Sequence, residues 1–504
     1  MHDTTTLPEI TSVEQARGVV TALFNQLQQA LWRVAQLEKQ LYGPSSERRV
    51  DEQLSKEQVL LSLFPAPTEP VAVQQVLVPL KSSSSEPRVR RQPVAKVLET
   101  VTERLEPQEK LCPHCGKAKC EIGCEKSERF EYIPSKVIRH EILRPKLACP
   151  CGQGGVSIAP LPAQLIEQGQ AGASLVAHVI LSKYDDHLPL YRQQQQFLRL
   201  GVTFARQTLC DWVEKGAEWL QALVREMNRE LLAGDYLQVD ETPVRVMDPE
   251  VKGKCATGWL WVKAVPGGNV VFEFHPGRGQ EHARQLIGSF KGYLQRDGYS
   301  AYGALARTDG GLIPVGCWGH ARRKFVEAAE LENPQALELV NEIRRLYLIE
   351  RHARDEGLRP EQRWKLRQEL AKPLLQALQP RLEAMREKHL PQSPLGKAIR
   401  YTLAEWQPLN RYLEDGRLEI DNNLTENAIR PSAVGKKNWL FIGHPEAGWR
   451  SAVIYSVIVS CRRRGIEPWE YLADVLRRLP AMRQSEISSI LPARWKPATP
   501  KSAF

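Results

Sequence analysis

The chain has 504 residues, with 69 Lys plus Arg against 59 Asp plus Glu and a formal charge of +10. At roughly 100–200 residues per domain this length implies about three domains, and 42% hydrophobic with 25% charged residues excludes a wholly disordered or collagen-like chain. Apolar runs such as Ala452 to Val459 fall far short of the roughly 18 residues of a membrane span, so neither a transmembrane helix nor a membrane partner is expected.

Met1-His2-Asp3 leads into Thr, Pro and Glu rather than a basic segment and an apolar one, which predicts a cytoplasmic protein without a secretory leader. Ten cysteines are too sparse for a disulfide scaffold, and six of them cluster between Cys112 and Cys151, which fits a reducing compartment and one metal site. Pro431 to Phe504 carries 12 Lys plus Arg against 5 Asp plus Glu, an asymmetry that points to a polyanion such as nucleic acid.

Val20, Phe24, Leu27, Leu31, Val34 and Leu41 form one helical stripe, so residues 11–42 read as a leucine-zipper-like helix stopped by Pro44. The same stripe suits a helix packed on its own chain. Residues 43–107, with Ser82 to Ser85 and the basic run Arg88 to Arg91, read as a linker. Cys112-Pro113-His114-Cys115 and Cys149-Pro150-Cys151 then bracket a segment with strand character around Tyr132 to Ile142. Four thiolates from two close pairs suit tetrahedral Zn²⁺, which predicts a zinc ribbon over 108–160 held by Cys112, Cys115, Cys149 and Cys151. Cys120, Cys124, His114 and His140 are the substitutes that the tight C-x-C pair leaves open.

Residues 171–232 read as helical. A helix over Tyr191 to Leu198, a turn at Leu200-Gly201-Val202 and a second helix over Ala205 to Leu220 fit either a helix-turn-helix or an ordinary hairpin. In the first case Arg206, Gln207 and Thr208 sit where a recognition helix meets DNA. From Gly234 the pattern changes to strands: Tyr236 to Asp240, a hairpin of Gly258 to Val265 and Asn269 to His275, a helix over Glu281 to Phe290, then strands at Tyr293 to Arg296 and Ile313 to Trp318. This order is that of a ribonuclease-H-like mixed sheet, with the first and fourth strands adjacent at its centre. Adjacent strands lie about 4.8 Å apart, so Asp240 and Asp297 could share Mg²⁺ or Mn²⁺ although 57 positions separate them.

The third carboxylate is sought in Asp421-Asn422-Asn423-Leu424-Thr425-Glu426, where Asn and Asp are N-cap types and Glu426 lies one turn before Arg430. Arg430 would orient Glu426 or touch a phosphate. Pro431 is expected to bend or end this helix and send Lys436 and Lys437 onto a following segment with Trp439 and Phe441. Residues 234–430 thus form the expected core, with charged amphipathic helices at about 325–400 as a helical insertion, and 431–504 a basic C-terminal region. Cys210, Cys255, Cys317 and Cys461 are assigned to the core, and Trp406, Trp439 and Trp449 to packing or base stacking.

The segments DETP at Asp240, RDGYSAY at Arg296, CWGHARRKF at Cys317, DNNLTENAIRP at Asp421 and GKKNWLFIG at Gly435 closely resemble the bacterial DDE transposases of insertion-sequence family sixty-six. LYGPSSER, CPHCG, SKYDDHLPLYRQ and EPWEYLADVL extend the resemblance over almost the whole chain. It implies a multidomain α/β transposase with Asp240, Asp297 and Glu426 as the Mg²⁺- or Mn²⁺-binding triad, Glu241 and Asp421 being the alternative members. His320 falls on a motif histidine that contacts DNA or metal or serves the start of a helix.

The implied reaction is cleavage at the element's ends and strand transfer into target DNA. The implied partners are double-stranded terminal inverted repeats and target DNA at the nucleoid, a second copy of the chain, and small accessory proteins. Two rivals remain: a repeat-binding protein that does not cut, and a nuclease or resolvase on the same fold that does not join.

Overall fold

The computed structural model describes residues 137–148, 156–160, 163–167, 169–248, 250, 255–308, 310–330 and 333–497, all within the second of two units, 136–504. The zipper at 11–42, the linker at 43–107 and the ligands Cys112, Cys115, Cys149 and Cys151 lie outside the described residues. In sequence, the last pair falls between two short antiparallel strands, β1 (Lys146–Ala148) and β2 (Val156–Ile158), which pair from Lys146 to Ile158. Residues 137–142 are not strand. That correction shifts the pairing a few residues towards the second cysteine pair.

Three helices follow: α1 (Ala173–Tyr184), α2 (Leu190–Arg199) and α3 (Arg206–Leu232). Gly201, at a φ of +78°, makes the left-handed turn between α2 and α3 that a side chain would strain. Leu209, Val213, Ala217, Leu220, Val224, Met227 and Leu231 recur every three or four residues and are all buried, so α3 continues one apolar face well past the Leu220 expected as its end.

The sheet contains β3 (Tyr236–Met247), β4 (Cys255–Ala264), β5 (Val270–His275), β6 (Gly292–Gln295) and β7 (Leu312–Val315) in the order β5-β4-β3-β6-β7. The first three pair antiparallel, whereas β6 lies parallel between β3 and β7. The expected adjacency of the first and fourth strands is therefore present. Helix α4 (Gln280–Ile287) stops before Phe290, and α5 (Ser300–Thr308) joins β6 to β7. Trp318 is no strand residue but the first of α6 (Trp318–Ala329).

Helices α7 (Pro334–Asp355), α8 (Pro360–Leu366), α9 (Lys372–Lys388), α10 (Pro394–Ala404) and α11 (Trp406–Asn410) fill the interval before the next sheet-associated segment, with a π-helical turn at Arg367–Ala371. Arg367, 0% exposed, uses all its donors: Nε and Nη2 reach Glu350 at 2.7 and 2.9 Å, Nη1 reaches the carbonyls of Tyr412 and Asp415 at 2.6 and 2.9 Å, and Nη2 reaches Leu418 O at 2.7 Å. Arg363 pairs with Glu350 at 2.6 Å and grips both oxygens of Glu419 at 2.9 and 2.8 Å. Buried ions are tolerated only when paired and hydrogen-bonded, and here the pairing fastens the helices to the loop at 412–420.

Helix α12 (Asn423–Trp439) corrects two expectations: Pro431 lies inside it, and a boundary at residue 430 would cut it in half. A proline there forfeits one backbone hydrogen bond, while buried Ala428, Ile429, Ser432 and Gly435 on either side keep the helix on its packing surface. It ends at Leu440, with φ +67°, after which Ile442 bridges to β3.

The expected basic C-terminal region is partly core. In α13 (Gly448–Arg463) every residue from Ser451 to Cys461 is buried, and α14 (Pro468–Arg478) packs on α1. Ser456 and Ser460 accept the backbone N–H groups of Phe272 and Val270 at 2.8 and 3.0 Å, satisfying donors of edge strand β5 that would otherwise invite another strand. Cys317 and Cys461 are buried and Cys210 is half-buried, but Cys255 is exposed at the start of β4 and does not belong to the core.

Candidate active site

Parallel register sets the geometry. Gln238 of β3 stands opposite Gln295 of β6, and two residues beyond each comes an aspartate, Asp240 and Asp297. Because side chains alternate along a strand, Gln238 and Asp240 share one face. The glutamines interlock beneath the acids: Gln238 Nε2 donates to Gln295 Oε1 at 2.8 Å, and Gln295 Nε2 donates to the carbonyls of Glu419 and Gly316 at 2.8 and 3.1 Å. Tyr236 joins them, its hydroxyl accepting from Gln238 Nε2 at 2.9 Å and from the Glu419 N–H at 3.1 Å.

The same network sets the third acid. Thr425, fully buried in the first turn of α12, donates its hydroxyl to Gln238 Oε1 at 2.8 Å. Glu426 follows immediately and is drawn into the electrostatic field of Asp240. Burial first, then the charges of Glu241, Glu426 and Asp297, push the Asp240 carboxyl well above its usual range, while the Glu241 N–H at 2.9 Å opposes the shift. Asp297 Oδ1 accepts the Tyr299 N–H at 3.0 Å. Glu426 meets Arg323 at 3.4 Å and His320 Nδ1 at 3.6 Å, and its Oε1 and His320 Nδ1 are buried without a hydrogen-bond partner. Burial pushes the His320 imidazole down although Glu426 and Asp297 pull it up.

The alternative acids are already engaged. Glu241 pairs with Arg278 at 2.6 Å and accepts the Tyr302 hydroxyl at 3.1 Å, and Arg278 is itself stacked 4.0 Å from the Tyr299 ring centroid. Asp421 accepts the N–H and side-chain amide of Asn423 at 3.1 and 2.7 Å, closing the start of α12. Glu241, Glu426 and Asp297 act on Asp240 as like charges, and Glu426 Oε1 has no hydrogen-bond partner although Arg323 and His320 lie at 3.4 and 3.6 Å. Carboxylate oxygens are the hard donors that divalent cations such as Mg²⁺ or Mn²⁺ take.

Of the supporting residues, Arg430 is exposed and forms no ion pair with Glu426 among the described residues; Arg323, from α6, takes that place. Lys436 reaches Pro243 O and Thr242 Oγ1 of β3 at 3.0 and 3.3 Å, whereas Lys437 is exposed on the same helix. Arg206 and Gln207 are exposed and Thr208 half-buried at the start of α3. Gln207 lines a cavity of about 340 Å³ together with Lys183, Trp439, His444 and Arg450, which places this helix start beside the far end of α12. Trp439 and Trp449 are half-buried, and Trp406 packs edge-on to Trp318 at 6.0 Å.

Sequence reasoning overlooked Gln238, Gln295, Thr425, Arg278 and Arg323. A signal was present for the first two, since Gln238-Val239-Asp240 within β3 and Gln295-Arg296-Asp297 at the end of β6 repeat the pattern Gln-x-Asp.

The family model described as "Transposase IS66 family" matches residues 168–450, "zinc-finger binding domain of transposase IS66" matches 109–152, and "IS66 C-terminal element" matches 456–493. The uncharacterized protein y4jD of Sinorhizobium fredii is 34% identical over 487 residues, covering 92% of this chain and 94% of its own. Two further proteins of that organism, y4qI and y4hP, are 34% and 30% identical over 81% and 93% of this chain and 78% and 88% of theirs.

Proposed function

The chain belongs to the IS66 transposase family, and from that premise we propose that it cuts DNA at the ends of an insertion sequence and joins them to target DNA, with Asp240, Asp297 and Glu426 as its catalytic carboxylates. The observation that supports this reading is the parallel register of Gln238 with Gln295, which puts Asp240 and Asp297 each two residues beyond a matched pair, with Glu426 next in the chain to Thr425, whose hydroxyl bonds Gln238. We read the mixed five-stranded sheet as a ribonuclease-H-like core and the helices between β7 and α12 as its insertion.

These three carboxylates would hold Mg²⁺ or Mn²⁺, which when bound supplies activation of the attacking oxygen and charge neutralisation on the phosphate. The chain's own contribution is to fix the oxygens in place. Tyr236, Gln238, Gln295 and Thr425 form one buried hydrogen-bonded network tied to the backbone at Gly316, Glu419 and Asp421, which gives the acids their support. Arg278 pairs with Glu241 and offsets part of the negative charge beside the acids. Arg323, Arg430 and Lys437 are exposed cations on α6 and α12 that hold the DNA backbone near the acids. Hydrolysis frees a 3′-hydroxyl, and that hydroxyl then attacks a target phosphodiester, so neither step requires a protein-bound covalent intermediate.

DNA recognition is assigned to Arg206, Gln207 and Thr208 at the start of α3, and to a zinc ribbon held by Cys112, Cys115, Cys149 and Cys151. Two ends must be paired, which calls for a second copy of the chain and leaves room for small accessory proteins. No helix among the described residues is long and apolar enough to cross a membrane.

The test incubates labelled element-end duplex with protein and Mg²⁺ or Mn²⁺ and scores cleavage and joining. Asp240→Ala, Asp297→Ala and Glu426→Ala should each lower both by at least about a hundredfold while DNA binding persists. Wild-type binding without cleavage would favour the non-catalytic repeat-binding reading, and cleavage without joining the nuclease.

A further inference from the structure

Next to the carboxylates lies a second set of donors of different chemistry. Cys317 is the N-cap of α6 and His320 its third residue, so C-x-x-H puts thiol and imidazole on one side of the helix start. Glu426 approaches from the first turn of α12, and the three donor atoms lie within 4.8 Å of one another. Two of them, His320 Nδ1 and Glu426 Oε1, are buried without hydrogen-bond partners. Cys317, at 1% exposure, receives the backbone N–H groups of His320 and Asn422 at its sulfur, while burial and the Asp421 charge push the free thiol up, so the sulfur becomes a ligand only by losing its proton to a bound cation.

We propose that Cys317, His320 and Glu426 form a zinc site that withdraws Glu426 from Asp240 and Asp297 and thereby inhibits the enzyme. The proposal rests on the catalytic reading of Glu426. Sulfur, nitrogen and oxygen donors together select a borderline-soft ion over Mg²⁺, which prefers oxygen alone. Zinc bonds of about 2.0–2.3 Å in a tetrahedron separate their donors by about 3.3–3.8 Å, so small side-chain rotations close the set. Thiolate and carboxylate balance the dication, the thiol proton leaves to solvent on binding, and one coordination position stays open.

The test uses the full chain, so that zinc held elsewhere is common to all variants. Without DNA, competition against a chromogenic zinc chelator should show wild type taking up one more zinc per chain than Cys317→Ser and His320→Ala, with folding of each variant checked by circular dichroism. Cys317→Ala stands in if the serine variant fails to fold. In Mg²⁺-supported cleavage, with each protein normalised to its own zinc-free rate, the half-inhibitory zinc concentration should rise at least tenfold in Cys317→Ser. Equal stoichiometry in wild type and folded variants overturns the proposal. If no protein cleaves, the transposase reading fails, while the stoichiometry still decides whether the zinc site exists.

Discussion

Replacing Asp240 by Asn should make the protein more stable in chelator and less responsive to divalent cations. The amide keeps an oxygen for the Glu241 N–H and removes one charge from a group that feels Glu241, Glu426 and Asp297 together. Like charges about 5–7 Å apart at an effective dielectric near 20 repel by about 2–3 kcal/mol per pair. Wild type already relieves part of this by protonation, which leaves a net gain of about 2 kcal/mol for the variant. Unfolding entropy near 2.1 cal/mol/K per residue gives about 0.8 kcal/mol/K for the 136–504 unit, so Tm should rise about 2–3 °C.

The sign with pH follows from the raised pKa. The contribution of Asp240 is whole below the unfolded carboxyl value of about 3.9 and is lost as pH rises through the folded one, so the variant's advantage opens with increasing pH. Saturating Mg²⁺ or Mn²⁺ at about 100 times Kd adds about 2.7 kcal/mol to wild type, and the order of the two melting temperatures reverses. Differential scanning fluorimetry from pH 4 to 8, with chelator or cation, measures both effects. A variant less stable than wild type in chelator at pH 7, or equally stabilised by the cation, refutes the reasoning.

Thr425→Val removes the hydroxyl that Gln238 Oε1 accepts and leaves a buried acceptor unpaired, at a cost of about 1–3 kcal/mol; urea unfolding should report that loss, and end cleavage should slow more in kcat than in KM because Glu426 is displaced. Arg367→Met leaves the buried Glu350 carboxylate with Arg363 as its remaining partner and takes a donor from the carbonyls of Tyr412, Asp415 and Leu418, and should cost about 3–5 kcal/mol at pH 7 by thermal melting. Burial would raise the Glu350 pKa, but the hydrogen bonds and charges of Arg367 and Arg363 outweigh it and hold the carboxyl below its ordinary value. Its stabilisation is therefore present above the unfolded value of about 4.3 and fades as pH falls through the folded one, so the gap between wild type and variant should close in acid.

The sheet was legible because each strand carries its own pattern. Apolar alternation located β4 to β7 to within a few residues, whereas β3, expected to close at Asp240, runs on to Met247 and carries Asp240 inside the strand. What escaped was polar and long-range. Arg363, Arg367 and Glu350 read as surface charges of an amphipathic helix, yet each finds its partners 13 to 56 positions away, which local periodicity does not encode. Pro431 misled in the opposite way: intrinsic propensity marks a break, but packing on both sides of the proline carries α12 through it. The glutamines beneath the acids were overlooked because buried amides are rare by composition, although their repeated spacing before aspartate was visible.

Glu426 lies 129 positions after Asp297 along the chain. Closing a flexible loop of that length costs about 4 kcal/mol in chain entropy, a debt that every return of the third acid to the sheet would incur. The grip of Arg363 and Arg367 on Glu350, Glu419 and the carbonyls at 412–418 turns most of that loop into a strut. The helices between β7 and α12 thus shorten the effective tether between β6 and α12, and loosening the grip of Arg363 and Arg367 would leave Glu426 on a longer leash.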